Sequence, residues 1–314
     1  MARERVVIFG GTGFIGNYVV RRCVQAGYEV TVMVRPGGHR EYLAPLHDAI
    51  TVLTGDFMVK TDVHRALTGA AVAIALVGTT IPATAIHDPT HELFATILPY
   101  VNFLDAAVSC EVSRVIVASS GGTVYGEAAI LPTPEDSPLS PLSPYGIAKA
   151  TVERYCAFYT RQFGLDTRVL RVANPYGWGQ RVQSGQGIVG AALGCILEKK
   201  PFTMYGDGGA VRDFVYVDDV AEAFLRAVTY TGEERVFNIG SGEGMDLNSV
   251  LSLIQQVTGH DLVQISLPAR PFDVHANVLD VSRARDHLGW EPTTSLSAGL
   301  RMTWKALLGS RGPE

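Results

Sequence analysis

The stretch Val6-Val7-Ile8-Phe9-Gly10-Gly11-Thr12-Gly13-Phe14-Ile15-Gly16 decides the fold of this chain. Its apolar run predicts a buried strand, its glycines predict a tight turn, and an apolar-periodic stretch from Tyr18 to Ala26 predicts a helix. Glycines at this spacing let backbone N–H groups approach a pyrophosphate at the helix N-terminus and let the helix pack on the strand. The stretch therefore predicts a dinucleotide site. Its candidate cofactor-binding residues are Gly10, Gly13, Phe14, Ile15 and Gly16.

The same alternation of strand and helix continues along the chain. Further strands are predicted at 29–34, 50–54, 71–77, 114–118 and 167–172, and long helices at 92–107 and 145–163. This order predicts an α/β fold, a doubly wound parallel sheet of the Rossmann type, over residues 1–173. The elements then become shorter. Residues 174–314 are expected to form a smaller C-terminal α/β substrate-binding domain, with part of 214–230 packing back on the sheet.

Residues at the ends of the second and third strands bear on the choice of cofactor. NAD sites usually place an acid about 20 residues past the glycines, whereas an arginine there accommodates the 2′-phosphate of NADP. This chain has Val34 and Arg35 at that place, so NAD and NADP both stay open, with Arg35 a cofactor-binding candidate. Asp56 and Phe57 follow the third strand and are further candidates.

Composition excludes several classes of partner. The 314 residues carry a net charge of -5, and no cluster of Lys or Arg offers a surface for nucleic acid. The four cysteines are far apart and lack metal-ligand spacing, which indicates free thiols in a reducing cytoplasm and no metal site. The first apolar run is too short to be a signal or membrane segment. We expect a cytoplasmic protein that binds neither nucleic acid nor membrane.

The stretch Ser143-Pro144-Tyr145-Gly146-Ile147-Ala148-Lys149 carries the candidate chemistry. Ser143 is suited to cap a helix and Pro144 to its first turn, so a helix is predicted to begin here. Tyr145 and Lys149 then share one face. Because a nearby ammonium favours the phenolate, the pair is predicted to exchange a proton with a sugar or alcohol hydroxyl near neutral pH.

With these motifs and Arg212-Asp213-Phe214-Val215-Tyr216-Val217-Asp218-Asp219, the whole chain resembles the extended short-chain dehydrogenase/reductases of the NAD-dependent epimerase/dehydratase family. Within that family it is most similar to the nucleotide-sugar epimerases. The resemblance implies a Rossmann domain for the dinucleotide and a C-terminal domain for the nucleotide sugar. It also implies a homodimer packed through helices near 92–108 and 145–162.

The resemblance also implies roles for single residues. Tyr145 matches the catalytic acid/base, and Lys149 the lysine that holds the nicotinamide ribose and lowers the tyrosine's pKa. The other matches are Asp56 for adenine, Asn174 for the substrate phosphates, Arg212 and Arg270 for the pyrophosphate, Asp273 for the nucleotide ribose and Tyr205 for the base.

One departure from the family pattern concerns Ser119-Ser120-Gly121-Gly122-Thr123-Val124-Tyr125-Gly126. The family's catalytic serine or threonine stands four residues before this tyrosine, where the chain has Gly121. If the segment is extended, Thr123 faces the same way, so we predict Thr123 as the catalytic hydroxyl, with Ser120 as the substrate-contacting alternative. The related 4,6-dehydratases carry two acids here, and their absence argues against dehydration.

These residues predict a nucleotide-sugar 4-epimerase that interconverts UDP-hexoses through a 4-keto intermediate, with hydride taken and returned by tightly held NAD or NADP. One alternative is an NADP-dependent reductase of a nucleotide keto-sugar, which Arg35 would suit. The other is a non-catalytic nucleotide-binding protein. Neither the sugar nor the nucleotide is fixed by the residues.

Overall fold

Seven parallel strands form the large sheet of the protein. The computed structural model describes residues 4–78, 80, 82–180 and 187–309. The strands of the large sheet are β1 Arg5–Phe9, β2 Glu29–Val34, β3 Ile50–Thr54, β4 Val72–Ala75, β5 Arg114–Ser120, β6 Asp166–Val172 and β10 Val236–Ile239. Their order across the sheet is β10-β6-β5-β4-β1-β2-β3. The strand order reverses between β1 and β4, and ligands bind beyond the strand ends at such a point.

Helices cover both faces of this sheet, so the predicted doubly wound α/β fold is confirmed. They are α1 Phe14–Gln25, α2 Lys60–Leu67, α3 Pro82–Ala85, α4 Leu98–Ser109, α5 Pro144–Phe163 and α7 Val217–Thr229. A 3-10 helix, Glu41–Leu46, follows β2, and a π-helical turn, Leu93–Ile97, leads directly into α4.

Two apolar clusters fill the space between the sheet and its helices. One joins α1 and α7 to one face, with Val20, Ile8 and Phe224 fully buried. The other joins α2, α4 and α5 to the opposite face, around Phe9 and Phe103. A continuous apolar strand such as Val6 to Phe9 contributes side chains to both clusters because alternate residues point to opposite faces.

A smaller lobe holds the remaining elements around a third apolar cluster. Its strands are β7 Asn174–Tyr176, β8 Phe202–Tyr205, β9 Val211–Tyr216, β11 Gly244–Asp246, β12 Gln264–Leu267 and β13 Ala276–Asn277. Its helices are α6 Ile188–Glu198, α8 Leu247–Thr258 and α9 Leu296–Gly309. The π-helical turn Ala284–Leu288, which precedes α9, packs instead in the cluster of the large sheet that includes α7. Strand β9 pairs with β7, β11 and β13, whereas β8 pairs with β12.

Two elements from the second half of the chain belong to the large sheet. Helix α7 packs against α1, and β10 pairs with β6 from Val236↔Val169 to Ile239↔Val172. Strand β10 was not predicted from the sequence. The division of the chain into a dinucleotide domain, 1–173, and a substrate domain, 174–314, with part of 214–230 packing back on the sheet, stays a prediction.

Searches of the described residues found no helix that is both long and apolar enough to cross a membrane. Over the same ranges, no group of three or more His, Cys, Asp or Glu side chains is arranged to hold a metal ion. All four cysteines are free; Cys23 and Cys156 are buried, whereas Cys110 and Cys195 are partly exposed.

Candidate active site

The glycine turn between β1 and α1 is shaped as a dinucleotide cradle. Gly10 has a φ of +82°, and a Cβ there would lie 2.9 Å from the backbone of Leu76; a Cβ on Gly16 would lie 2.1 Å from the carbonyl oxygen of Gly10. Gly13 is the N-cap residue of α1 and has no side chain that could accept a hydrogen bond. No capping side chain therefore occupies the first N–H groups of the helix. This arrangement suits a pyrophosphate, because the N–H groups and the helix dipole both favour an anion.

The neighbouring strand ends place three more predicted cofactor residues. Arg35 is exposed just past β2, and its guanidinium has no hydrogen-bond or ion-pair partner among the described residues. The Asp56 carboxylate accepts a hydrogen bond from the Met58 N–H at 2.9 Å. The Phe57 ring, in contrast, is buried edge-on against Phe9, so only its backbone is available to a cofactor. The assignment of Phe57 to the cofactor site stays a prediction.

Helix α5 begins as predicted and brings Tyr145 and Lys149 together. Ser143 caps the helix by accepting a hydrogen bond from the Gly146 N–H at 3.2 Å. The Lys149 ammonium lies 5.8 Å from the centre of the Tyr145 ring and donates to the Ala118 carbonyl of β5 at 3.1 Å. Lys149 is buried, whereas Tyr145 is partly exposed. The pair therefore lies at the carboxyl end of β5, with the phenol accessible to a ligand.

The pKa values of Tyr145 and Lys149 do not fit the expectation that Tyr145 is a phenolate near neutral pH. Burial, aided by the negative charge of Glu92, raises the pKa of Tyr145 to about 12, and a hydrogen bond with Ser120 opposes the rise. Burial lowers the pKa of Lys149 to about 8, against the opposing charges of Glu92 and Glu153. Tyr145 is therefore a neutral phenol near neutral pH, and Lys149 is mostly an ammonium.

The segment after β5 is a turn, which changes the expected role of Thr123. The N–H groups of Thr123 and Val124 both donate to the Ser120 carbonyl, at 3.2 and 3.0 Å. Side chains therefore do not alternate as the extended conformation would require. The Ser120 hydroxyl lies near the Tyr145 phenol and acts to lower its pKa, whereas the buried Thr123 hydroxyl oxygen has no hydrogen-bond partner among the described residues. The geometry thus favours Ser120, the alternative, as the hydroxyl next to the phenol.

The Leu279 side chain occupies the space that a side chain at position 121 would need. A Cβ at position 121 would lie 2.4 Å from Cδ1 of Leu279 and 3.0 Å from the carbonyl oxygen of Arg171. Leu279 is fully buried in the core. At Gly122 the nearest atoms, from Ala173 and Asn174, would be 3.9 Å away, so that position has room. The family's hydroxyl cannot be accommodated at 121 without moving Leu279.

The predicted substrate residues form two groups in the smaller lobe. The Arg270 guanidinium stacks on Tyr205, 3.5 Å from the ring centre. Burial lowers the pKa of Arg212, and the nearby carboxylate of Asp273 opposes this effect. The Asn174 amide donates to the Asp213 carbonyl at 3.0 Å, which fixes the asparagine beside β9. Arginines next to an aromatic ring and an amide suit a nucleoside diphosphate.

Sequence reasoning missed two buried carboxylates near the pair. Glu153, one turn after Lys149, forms an ion pair with Arg171 at 2.7 Å and also hydrogen-bonds Ser119. Glu92 is only 2% exposed and accepts a hydrogen bond from Thr96 at 2.8 Å. A signal was present, since Glu92, Thr96 and Tyr100 recur every fourth residue along a mostly apolar segment.

Comparisons with known proteins identify the family to which this fold is similar. The model of the NAD dependent epimerase/dehydratase family matches residues 6–240. The UDP-glucose 4-epimerase of Thermotoga maritima, solved with UDP-glucose, is 33% identical with a TM-score of 0.93 and spans 98% of this chain and 100% of its own. The Thermus thermophilus enzyme of the same name, solved with NAD, is 31% identical with a TM-score of 0.91 over 98% and 100%. An Escherichia coli relative named dTDP-4-dehydro-6-deoxyglucose reductase is 34% identical over 222 residues, 70% of this chain and 68% of its own.

Proposed function

Because the chain belongs to the NAD dependent epimerase/dehydratase family, we propose that it is a nucleotide-sugar 4-epimerase that interconverts UDP-hexoses. One observation carries the proposal. The Tyr145 phenol lies beside the Lys149 ammonium and the Ser120 hydroxyl, at the end of β5. That strand end lies on the same edge of the sheet as the glycine cradle after β1.

In this reaction the residues of the protein transfer a proton from and to one sugar hydroxyl. A bound NAD or NADP would accept hydride from C4 of the sugar and later return it to the opposite face. Tyr145 acts in its phenolate form: after releasing its own proton to solvent, it takes the proton of the C4 hydroxyl as the C4–H bond breaks, and gives it back when the C4–H bond re-forms. The Lys149 charge stabilises the phenolate during this exchange, and Ser120 keeps the phenol oriented.

The two groups in the smaller lobe suit the turning of the 4-keto sugar. Arg212 and Arg270, with Tyr205 and Asp273, would grip the nucleotide and its diphosphate. Gly122 leaves space on the side of the sugar, since no atom lies closer than 3.9 Å to a Cβ placed there. A nucleotide held firmly and a sugar held loosely allow either face of C4 to meet the same phenol.

Two observations bear on the choice between NAD and NADP, and they favour different cofactors. The family description and the Thermus thermophilus structure name NAD. The exposed Arg35 at the end of β2, where an NAD site usually has an acid, suits the 2′-phosphate of NADP. Denaturing the purified protein and identifying the released dinucleotide distinguishes them.

We also propose a homodimer through α4 and α5. Large apolar side chains are exposed along one side of this region: Phe94 is 63% exposed, Leu98 49%, Ile147 52% and Phe158 50%. Exposed apolar side chains on α4, on the turn before it and on the neighbouring α5 suit pairing with the same elements of a second copy.

The test is to incubate the protein with UDP-glucose, UDP-N-acetylhexosamines and UDP-glucuronate and to separate the products. An epimerase interconverts one or more sugars without consuming added cofactor. Tyr145→Phe, which removes only the phenol oxygen, should lower turnover at least about 100-fold. Undiminished conversion by this variant would refute the assignment of Tyr145.

The second candidate is a reductase of a nucleotide keto-sugar. The Escherichia coli relative carries such a name, and Arg35 would suit NADPH. Stoichiometric oxidation of added NADPH with a dTDP- or UDP-4-keto-sugar, together with no epimerisation of the panel, would favour this function over the first.

A further inference from the structure

The Glu92 carboxylate is buried, and it forms no ion pair with the residues that the structure describes. Its residue is 2% exposed, and the carboxylate accepts hydrogen bonds from the hydroxyl groups of Thr80 and Thr96. No Lys, Arg or His forms an ion pair with it in residues 4–78, 80, 82–180 and 187–309. Burying a carboxylate costs several kcal/mol unless a charge or several hydrogen bonds compensate. Among the described residues, the two neutral hydroxyls give this carboxylate only modest compensation, and a nearby cation would stabilise it further.

The helical face that carries Glu92 is turned toward the Tyr145–Lys149 pair. Tyr100, two turns further along the same face, has its ring centre 5.5 Å from the Lys149 ammonium. Thr96 lies between them and binds Glu92 directly. The π-helical turn begins immediately after Glu92, and such turns are frequent at functional sites because they re-aim side chains.

The other carboxylate near Lys149 is already neutralised. Glu153 forms hydrogen bonds of 3.1, 3.1 and 2.7 Å with the Arg171 guanidinium. Although burial acts to lower the pKa of Arg171, the hydrogen bonds and charge of Glu153 raise it well above the usual value. Because Glu153 is paired with Arg171, Glu92 is the carboxylate that can balance the charge of Lys149.

We propose that Glu92 is a positioning residue of this site, supplying the buried negative charge that keeps the Lys149 ammonium protonated beside Tyr145. Its importance for turnover rests on the proposed function, whereas the charge balance itself does not. The groups that face Lys149 are Glu92 and Tyr100 from the α4 side, and Tyr145 and Glu153 from α5. Of the two carboxylates, Glu92 has the larger effect on the pKa of Lys149, and it acts to raise it.

The composition of the chain makes a direct test simple. It has five lysines, Lys60, Lys149, Lys199, Lys200 and Lys305. In protein labelled with 13C at lysine Cε, each lysine can be titrated by NMR, and loss of one signal in Lys149→Arg identifies Lys149. We expect the pKa of Lys149 to be about 8, well below the reference value of about 10.4 for a lysine in water.

Glu92→Gln keeps the shape of the side chain and its capacity to hydrogen-bond both threonines while removing the charge. It should lower the pKa of Lys149 by about one unit or more and leave the other lysines unchanged. Glu92→Asp keeps the charge, so its Lys149 should titrate nearer the wild-type value than in Glu92→Gln. Glu92→Leu provides a second neutral side chain if the glutamine variant does not fold.

Asp88→Asn is the matched control. Asp88 is an exposed acid shortly before Glu92 that hydrogen-bonds Thr90 and the His91 N–H, contacts that asparagine can also make. This variant should leave the Lys149 titration unchanged. An unchanged Lys149 pKa in both neutral Glu92 variants, or an equal shift in Asp88→Asn, would overturn the proposal.

Turnover separates this inference from the proposed function. If wild-type protein converts no nucleotide sugar but Glu92→Gln still shifts Lys149, the 4-epimerase assignment fails and the charge balance stands. If conversion is observed, its alkaline limb should move to lower pH in Glu92→Gln. An unmoved limb would overturn the positioning role in catalysis.

Discussion

Replacing Gly121 by serine tests why this chain lacks the family's hydroxyl. The new Cβ would lie 2.4 Å from Cδ1 of Leu279, about 1 Å inside an ordinary carbon–carbon contact. It would also lie 3.0 Å from the carbonyl oxygen of Arg171, which belongs to β6 and cannot rotate away. Leu279 is fully buried, so its side chain can move only by displacing its neighbours.

Overpacking of this kind costs about 1–3 kcal/mol. For a chain of this length that corresponds to a decrease in Tm of about 2–6 °C, measured by thermal unfolding. Leu279→Ala alone should cost about 2–5 kcal/mol because it leaves a cavity. In the double variant the serine occupies part of that cavity, so the loss should be smaller than the sum of the two single losses by about 1–3 kcal/mol.

Gly122→Ala is the matched control because its Cβ would meet nothing closer than 3.9 Å and its φ is not in the left-handed region. It should change stability by less than about 0.5 kcal/mol. If Gly121→Ser is as stable as Gly122→Ala, or if the two losses at 121 and 279 simply add, then Leu279 is not the reason for the glycine.

Three further outcomes are expected. Ser120→Ala should lower turnover about 100-fold while the dinucleotide stays bound, and Thr123→Val should keep a turnover near that of the wild type. A large loss of turnover in Thr123→Val but not in Ser120→Ala would restore Thr123 as the catalytic hydroxyl. Arg35→Ser should weaken NADP about tenfold or more and leave NAD affinity unchanged in titration calorimetry, and equal losses for both would remove Arg35 from the cofactor site. Phe158→Asp should weaken self-association about 30-fold in analytical ultracentrifugation, whereas Val263→Asp, at an apolar position that is 66% exposed, should not; equal effects would place the interface elsewhere.

The parts of the site that follow from local sequence were predictable. Ser143 and Pro144 fix the start of α5, and helical spacing then places Lys149 beside Tyr145. The glycine turn likewise follows from its own residues and the strand before it. In each case the controlling contacts lie within a few residues along the chain.

What escaped prediction depends on contacts between distant segments. Leu279 fills the space at Gly121 from a remote part of the chain, and no spacing rule reveals it. The spacing of Glu92, Thr96 and Tyr100 marks one helical face, but whether that face is buried depends on α5, which comes later in the chain. Strand β10 is only four residues long, and its place at the sheet edge depends on where α7 crosses.

The route of the chain between the large sheet and the four-stranded sheet of the smaller lobe bears on how the molecule can open. After β9 in the four-stranded sheet, α7 and β10 return to the large sheet, and β11 then re-enters the four-stranded sheet. Each passage is a covalent connection between the lobes. Any opening between them would have to bend several of these connections together, so we expect a ligand to enter by displacing single loops at the edge of the site.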